Sequence, residues 1–91
     1  MTDYTPSHEH LAFAMRLRAA RKLQGLTQTE VAKLLGVSLP RYHAWEKSIA
    51  TPNSLALYHD LCRNLNVTMD WLFFGDTRGL EFEIREKLTL P

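Results

Sequence analysis

The sequence carries a single cysteine, Cys62, so neither an intramolecular disulfide nor a cysteine-based zinc cluster can form within one chain. It lacks any run of 18 apolar residues, and the apolar patch from Leu11 to Met15 is interrupted by Arg16 and Arg18. Neither a membrane span nor a signal peptide is therefore supported, and a cytoplasmic protein is expected. An excess of one charge is missing too: 11 Lys and Arg against 10 Asp and Glu leave a formal charge of +1. That is not the balance of a non-specific nucleic-acid binder, and any contact with DNA has to come from where the charges are placed. Internal repeats and low-complexity tracts are absent. So is a recognisable catalytic set, because there is no glycine-rich phosphate loop, no metal-site helix and no nucleophile with a base partner. His8 and His10 are two apart, point to different sides of a helix and have no third ligand nearby, so neither a metal nor a cofactor is expected.

What is present is a hydrophobic fraction of 45% in 91 residues, enough for one small helical core. The informative stretch runs from residue 28 to residue 47. Val31, Ala32 and Leu35 recur at helical spacing, Tyr42 and Trp45 do so again, and Gly36-Val37-Ser38 lies between them, which reads as a helix-turn-helix. Thr27 and Glu30 are spaced as a capping box for the first of these helices. Gly36 can take the positive φ that a sharp reversal needs, Val37 plugs the turn, and Ser38 caps the next helix with Pro40 in its first turn. Ala32 is small, as a close helix crossing demands.

Elsewhere the chain predicts a first helix capped by Ser7 or Thr5, with Phe13, Leu17 and Ala20 as its buried stripe. Arg16, Arg18 and Lys22 lie off that stripe and read as a solvated face more readily than as phosphate contacts. Gly25 ends the helix and Leu26 packs back. Ser48 to Asn53 is a loop by composition, Ser54 caps a fourth helix carrying Tyr58, Leu61, Cys62 and Leu65, and Asn66 suits the left-handed position after it. Thr68 caps a fifth helix through Trp71, Leu72 and Phe73, and Gly75 stops it. Residues 7–75 thus form one domain and residues 76–91 an extension. In the extension Leu80, Phe82, Ile84, Leu88 and Leu90 share one face of a strand, whereas a helix aligns only Leu80, Ile84 and Leu88. Its Glu, Arg, Lys and Leu content favours a helix, so both conformations stay open. Either way these apolar residues are expected to need cover from a second subunit.

Arg21, Gly25-Leu26-Thr27-Gln28, Ala32, Gly36-Val37-Ser38, Trp45-Glu46-Lys47, Pro52 and the closing run from Leu65 to Leu72 fall in a familiar order. From Phe13 to Gly75 the chain resembles the DNA-binding domain of the phage repressor and Cro type, the XRE family of bacterial regulators. The resemblance implies an all-α, five-helix repressor-like domain whose second motif helix enters the major groove of double-stranded DNA. It places Leu39, Pro40, Arg41, His43 and Ala44 against bases, with Thr27 and Ser38 at the helix starts in the same DNA-facing set. Gln28 would meet phosphate through its amide and backbone N–H, and Lys47 would contact phosphate as well. It also implies that Arg21 pairs with Glu46, locking helix one onto helix three.

The reading face departs from the usual family chemistry. Leu39, Pro40 and Ala44 offer only apolar contact, most suitably to a thymine methyl, and Arg41 is the best base reader, its bidentate contact with guanine worth roughly 1–3 kcal/mol. The loop from Ser48 to Asn53 lacks Lys and Arg, so modest, salt-dependent affinity is expected. The expected function is that of a sequence-specific transcriptional regulator, a repressor acting as a homodimer at an operator. Its rivals are an antitoxin-type regulator that also binds a protein through residues 76–91, and an interaction module that has lost base readout.

Overall fold

The computed structural model describes residues 8–88 of the chain. Helices α2 to α5 each begin on a hydroxyl side chain that accepts the amide three residues on. These caps are Thr27 for Glu30, Ser38 for Arg41, Ser54 for Leu57 and Thr68 for Trp71. Around Thr27 the box is complete, because the Glu30 carboxylate accepts the Thr27 amide at 2.8 Å in return. Helix ends are equally local in origin. Gly36 at φ 70°, Asn66 at φ 56° and Gly75 at φ 74° adopt the left-handed conformation that reverses the chain. The cap expected from Ser7 or Thr5 lies outside the described residues.

Six helices result among the described residues: α1 His8–Leu23, α2 Gln28–Leu35, α3 Leu39–Glu46, α4 Leu55–Leu65, α5 Met69–Phe74 and α6 Phe82–Lys87. Their shared core is built from Leu17 and Ala20 of α1, Val31 and Ala32 of α2, Tyr42 and Trp45 of α3, Leu61 and Leu65 of α4, and Trp71 and Leu72 of α5, none more than 3% exposed. Phe13 closes one end of it, stacked on Phe73 at 5.7 Å and edge-on to Tyr58 at 6.0 Å. Helix α3, the second helix of the motif, is held by both α1 and α2.

The all-α domain has its five expected helices within residues 8–75, and two other expectations are corrected. The extension, left open between strand and helix, forms a sixth helix, α6, and covers most of its own apolar residues. Leu80 and Leu88 are 6% and 2% exposed within the main core and Ile84 packs against it, so the helical spacing prevails over the strand alignment. A strand there would have no neighbouring strand among the described residues to pair its N–H and C=O groups, whereas a helix satisfies them internally. The residues invoked for a second subunit are thus largely covered by the chain itself; Phe82 is the exception at 66% exposed, and Leu90 lies outside the described residues.

Arg16 is the second correction. It is half-buried rather than part of a solvated face, and its Nη1 donates to the carbonyls of Leu72 at 3.3 Å and Phe73 at 3.0 Å. A guanidinium there satisfies the open C-terminal end of α5 and suits its negative dipole end. No helix among the described residues is long and apolar enough to cross a membrane.

Candidate nucleic-acid interface

The anchor of the motif is a carboxylate. Glu46 ends α3, and its two oxygens accept four hydrogen bonds: Arg21 Nε at 2.7 Å, Arg21 Nη2 at 3.1 Å, Tyr42 Oη at 2.5 Å and Gln28 Nε2 at 3.0 Å. The Arg21 and Glu46 side chains are only 10% and 3% exposed. Burial by itself pushes the Glu46 carboxyl up, but the hydrogen bonds from Arg21, Tyr42 and Gln28 outweigh it and hold the group below its ordinary value. The same contact with Glu46 raises the Arg21 guanidinium further. Burial, and then the bond to Glu46, drives the Tyr42 hydroxyl upward, so it stays a donor. Arg21 Nη1 also donates to the Leu26 carbonyl at 2.9 Å, which ties the turn before α2 into the same hub. The pairing expected of Arg21 and Glu46 is therefore present, and it fastens α3 to α1 and α2 together.

Gln28 extends the hub outward. Its Nε2 is committed to Glu46, so its Oε1 faces His43 Nδ1 at 2.9 Å. An amide oxygen only accepts, and His43 Nδ1 must therefore carry the hydrogen, which leaves Nε2 as the second ring nitrogen. Both ends of the Gln28 amide are engaged inside the protein. What Gln28 offers directly to a ligand in this state is its backbone N–H at the start of α2, beside the Thr27 cap.

Between the C-terminal half of α1, the start of α2 and the face of α3 lies an open groove of about 630 Å³ lined in part by Arg18, Thr27, Gln28, His43 and Lys47. Arg18 and Lys47 bring positive charge to its rim, and Glu46, the acidic group within it, is already neutralised by Arg21. Beside the groove the first turn of α3 projects into solvent. Ser38, Leu39, Pro40 and Arg41 are exposed, Leu39 by 41%, while His43 and Ala44 are half-buried on the same helix. Of the DNA-facing residues expected from the sequence, Thr27, Gln28, Leu39, His43 and Lys47 line the groove, with the Gln28 side chain turned inward, and Ser38, Pro40, Arg41 and Ala44 do not line it.

Two residues of this region were not legible in advance. Asn53, in the loop between α3 and α4, accepts a hydrogen bond from Arg41 Nη2 at 2.9 Å. Ser48 is buried and sits at φ 64°, a conformation serine does not advertise. The aromatic neighbour of Arg41 is Trp45, whose ring centroid lies 5.9 Å from the guanidinium carbon. Cys62 of α4 is buried in the core, and burial pushes its thiol up to about 11. Among the described residues no group of three or more potential metal ligands comes together.

A family model described as helix-turn-helix matches residues 17–72, from the middle of α1 to the buried leucine of α5. The chain belongs to the XRE-type helix-turn-helix family. A curated relative, the uncharacterized HTH-type transcriptional regulator YqaE of Bacillus subtilis (strain 168), is 31% identical over 78 residues. That match takes in 86% of this chain and 66% of the relative's length. In fold the chain is similar to the crystal structure of the hypothetical transcription factor NHTF from Neisseria, with a TM-score of 0.64, 21% identity and 97% of each chain covered. In this XRE-type domain the family match takes in the groove, the Glu46 hub and α3 and ends before α6.

Proposed function

We propose that the protein is a sequence-specific DNA-binding transcriptional regulator that acts as a homodimeric repressor at an operator. The observation that carries this reading is the exposed first turn of α3, with Arg41 at its tip, on a helix that the Glu46 carboxylate bolts to α1 and α2. A helix so held enters the major groove without reordering, and the groove beside it receives the adjacent phosphate between the start of α2, Arg18 and Lys47. Arg41 reads guanine, Leu39 and Pro40 supply apolar contact to thymine methyls, and His43 presents Nε2 to a base edge or phosphate. In a twofold dimer the two α3 helices meet half-sites about 34 Å apart.

The near-neutral charge of +1 makes the reading testable by salt. Binding to the DNA upstream of the protein's own gene is measured against random DNA from low to high ionic strength. The proposal expects a preference for the upstream DNA that survives as total affinity falls with salt. Equal affinity for both at every salt concentration overturns it.

A further inference from the structure

Arg41 is the one charged side chain in the first turn of α3. An exposed arginine ordinarily samples many rotamers, and a bidentate contact with a base has to freeze them. Here two groups hold it beforehand. Its Nη2 donates to Asn53 Oδ1 at 2.9 Å, and its guanidinium carbon lies 5.9 Å from the centroid of Trp45. Neither support is loose. Trp45 is 1% exposed and packs edge-on to Tyr42 at 5.5 Å. Asn53 follows Pro52, which is buried, and precedes Ser54, whose hydroxyl caps α4 by accepting the Leu57 amide at 3.2 Å. A buried proline and a helix cap thus flank the loop residue on its two sides.

The donor count leaves room for a base. A guanidinium has five N–H donors; Asn53 accepts one, and guanine O6 and N7 accept two. We propose that Asn53 is a positioning residue for base recognition: it fixes the plane of the Arg41 guanidinium and thereby sharpens the preference for guanine. This rests on α3 being the DNA-reading helix. Asn53 acts through Arg41, with no DNA contact of its own in the sequence-reading step.

The test is a double-mutant cycle on the full chain, with wild type, Arg41→Ala, Asn53→Ala and the double variant. The probes are a DNA site enriched from a random pool by the wild type, the same site with single guanines replaced by 7-deazaguanine, which lacks the N7 acceptor, and random DNA. Asn53→Ala should lower the ratio of affinities for the enriched and the deaza-substituted site by about fivefold, the scale of ordering one long side chain. Binding to random DNA and the melting temperature should stay unchanged, and in the Arg41→Ala background Asn53→Ala should add no further loss. Asn53→Asp, which keeps an acceptor oxygen, should preserve the ratio. An unchanged ratio in Asn53→Ala overturns the inference, as does an equal loss with or without Arg41, which would mean that Asn53 touches DNA itself. A wild type that enriches no site overturns the DNA reading and this inference together, whereas enrichment that Asn53→Ala leaves intact removes the inference alone.

Discussion

Replacing Glu46 by alanine removes the acceptor of four hydrogen bonds at once and leaves their donors inside the fold. Arg21, 9% exposed, keeps the Leu26 carbonyl but loses its carboxylate, Tyr42 loses an acceptor while fully buried, and the Gln28 amide loses its inner contact. Breaking a buried pair from one side costs about 3–5 kcal/mol, because the remaining charge is stranded away from water. A chain of 91 residues has about 5–14 kcal/mol of total stability. The substitution therefore takes a large share of it, and at about 3 kcal/mol the melting temperature falls by about 12–24 °C. Thermal and urea denaturation followed by circular dichroism at neutral pH measures this loss. Acid supplies an independent check. The Glu46 carboxyl is held below its ordinary 4.5 in the folded protein, so its ionised contribution is complete above that value and is lost as pH falls through the lower folded value. The gap between wild type and Glu46→Ala should accordingly narrow below about pH 4. A neutral-pH loss under about 1 kcal/mol, the range of a solvated surface pair, would refute the buried hub, and so would a gap that acid leaves unchanged.

Three other predictions concern the scaffold. Gly36→Ala meets no atom within 4 Å and should cost only the left-handed conformation, about 1–2 kcal/mol, whereas the new Cβ in Gly75→Ala lies 2.8 Å from Arg16 Nη2. Gly75→Ala should therefore melt lower than Gly36→Ala, and adding Arg16→Ala should shrink the difference; equal melting temperatures would count against the Arg16 cap. Leu88→Ala should destabilise the protein by about 2–4 kcal/mol, as expected for a leucine 2% exposed, and a negligible shift on denaturation would show that α6 is not part of the core. Cys62, with its thiol raised to about 11, should resist alkylation at pH 8 in the folded protein and react once urea unfolds it; rapid labelling of the folded chain would contradict its burial.

The elements that could be read from sequence are those decided by near neighbours. Thr27 with Glu30, Ser38, Ser54 and Thr68 announce helix starts because each cap bonds an amide three residues away, and Gly36, Asn66 and Gly75 announce ends through the backbone conformation they tolerate. What escaped depends on distant partners. Arg16 looked solvated because the carbonyls it caps are 56 and 57 residues away. The extension was ambiguous because only the presence or absence of a partner strand separates its two conformations, and Leu80 and Leu88 find their places in a core assembled by the other helices. In the interface, the exposed first turn of α3 followed from the motif. The inward turn of Gln28 toward His43 and the hold of Asn53 on Arg41 did not, since both need two helices or a helix and a loop to be in place first.

Binding-site selection from random DNA, run in parallel on wild type and Arg41→Ala, tests the central claim that the first turn of α3 reads base sequence. The account predicts that wild type enriches one motif with guanine at a fixed position in each half-site, and that Arg41→Ala loses the preference at that position while keeping the rest. No enriched motif for wild type, or the same guanine preserved without Arg41, would contradict it.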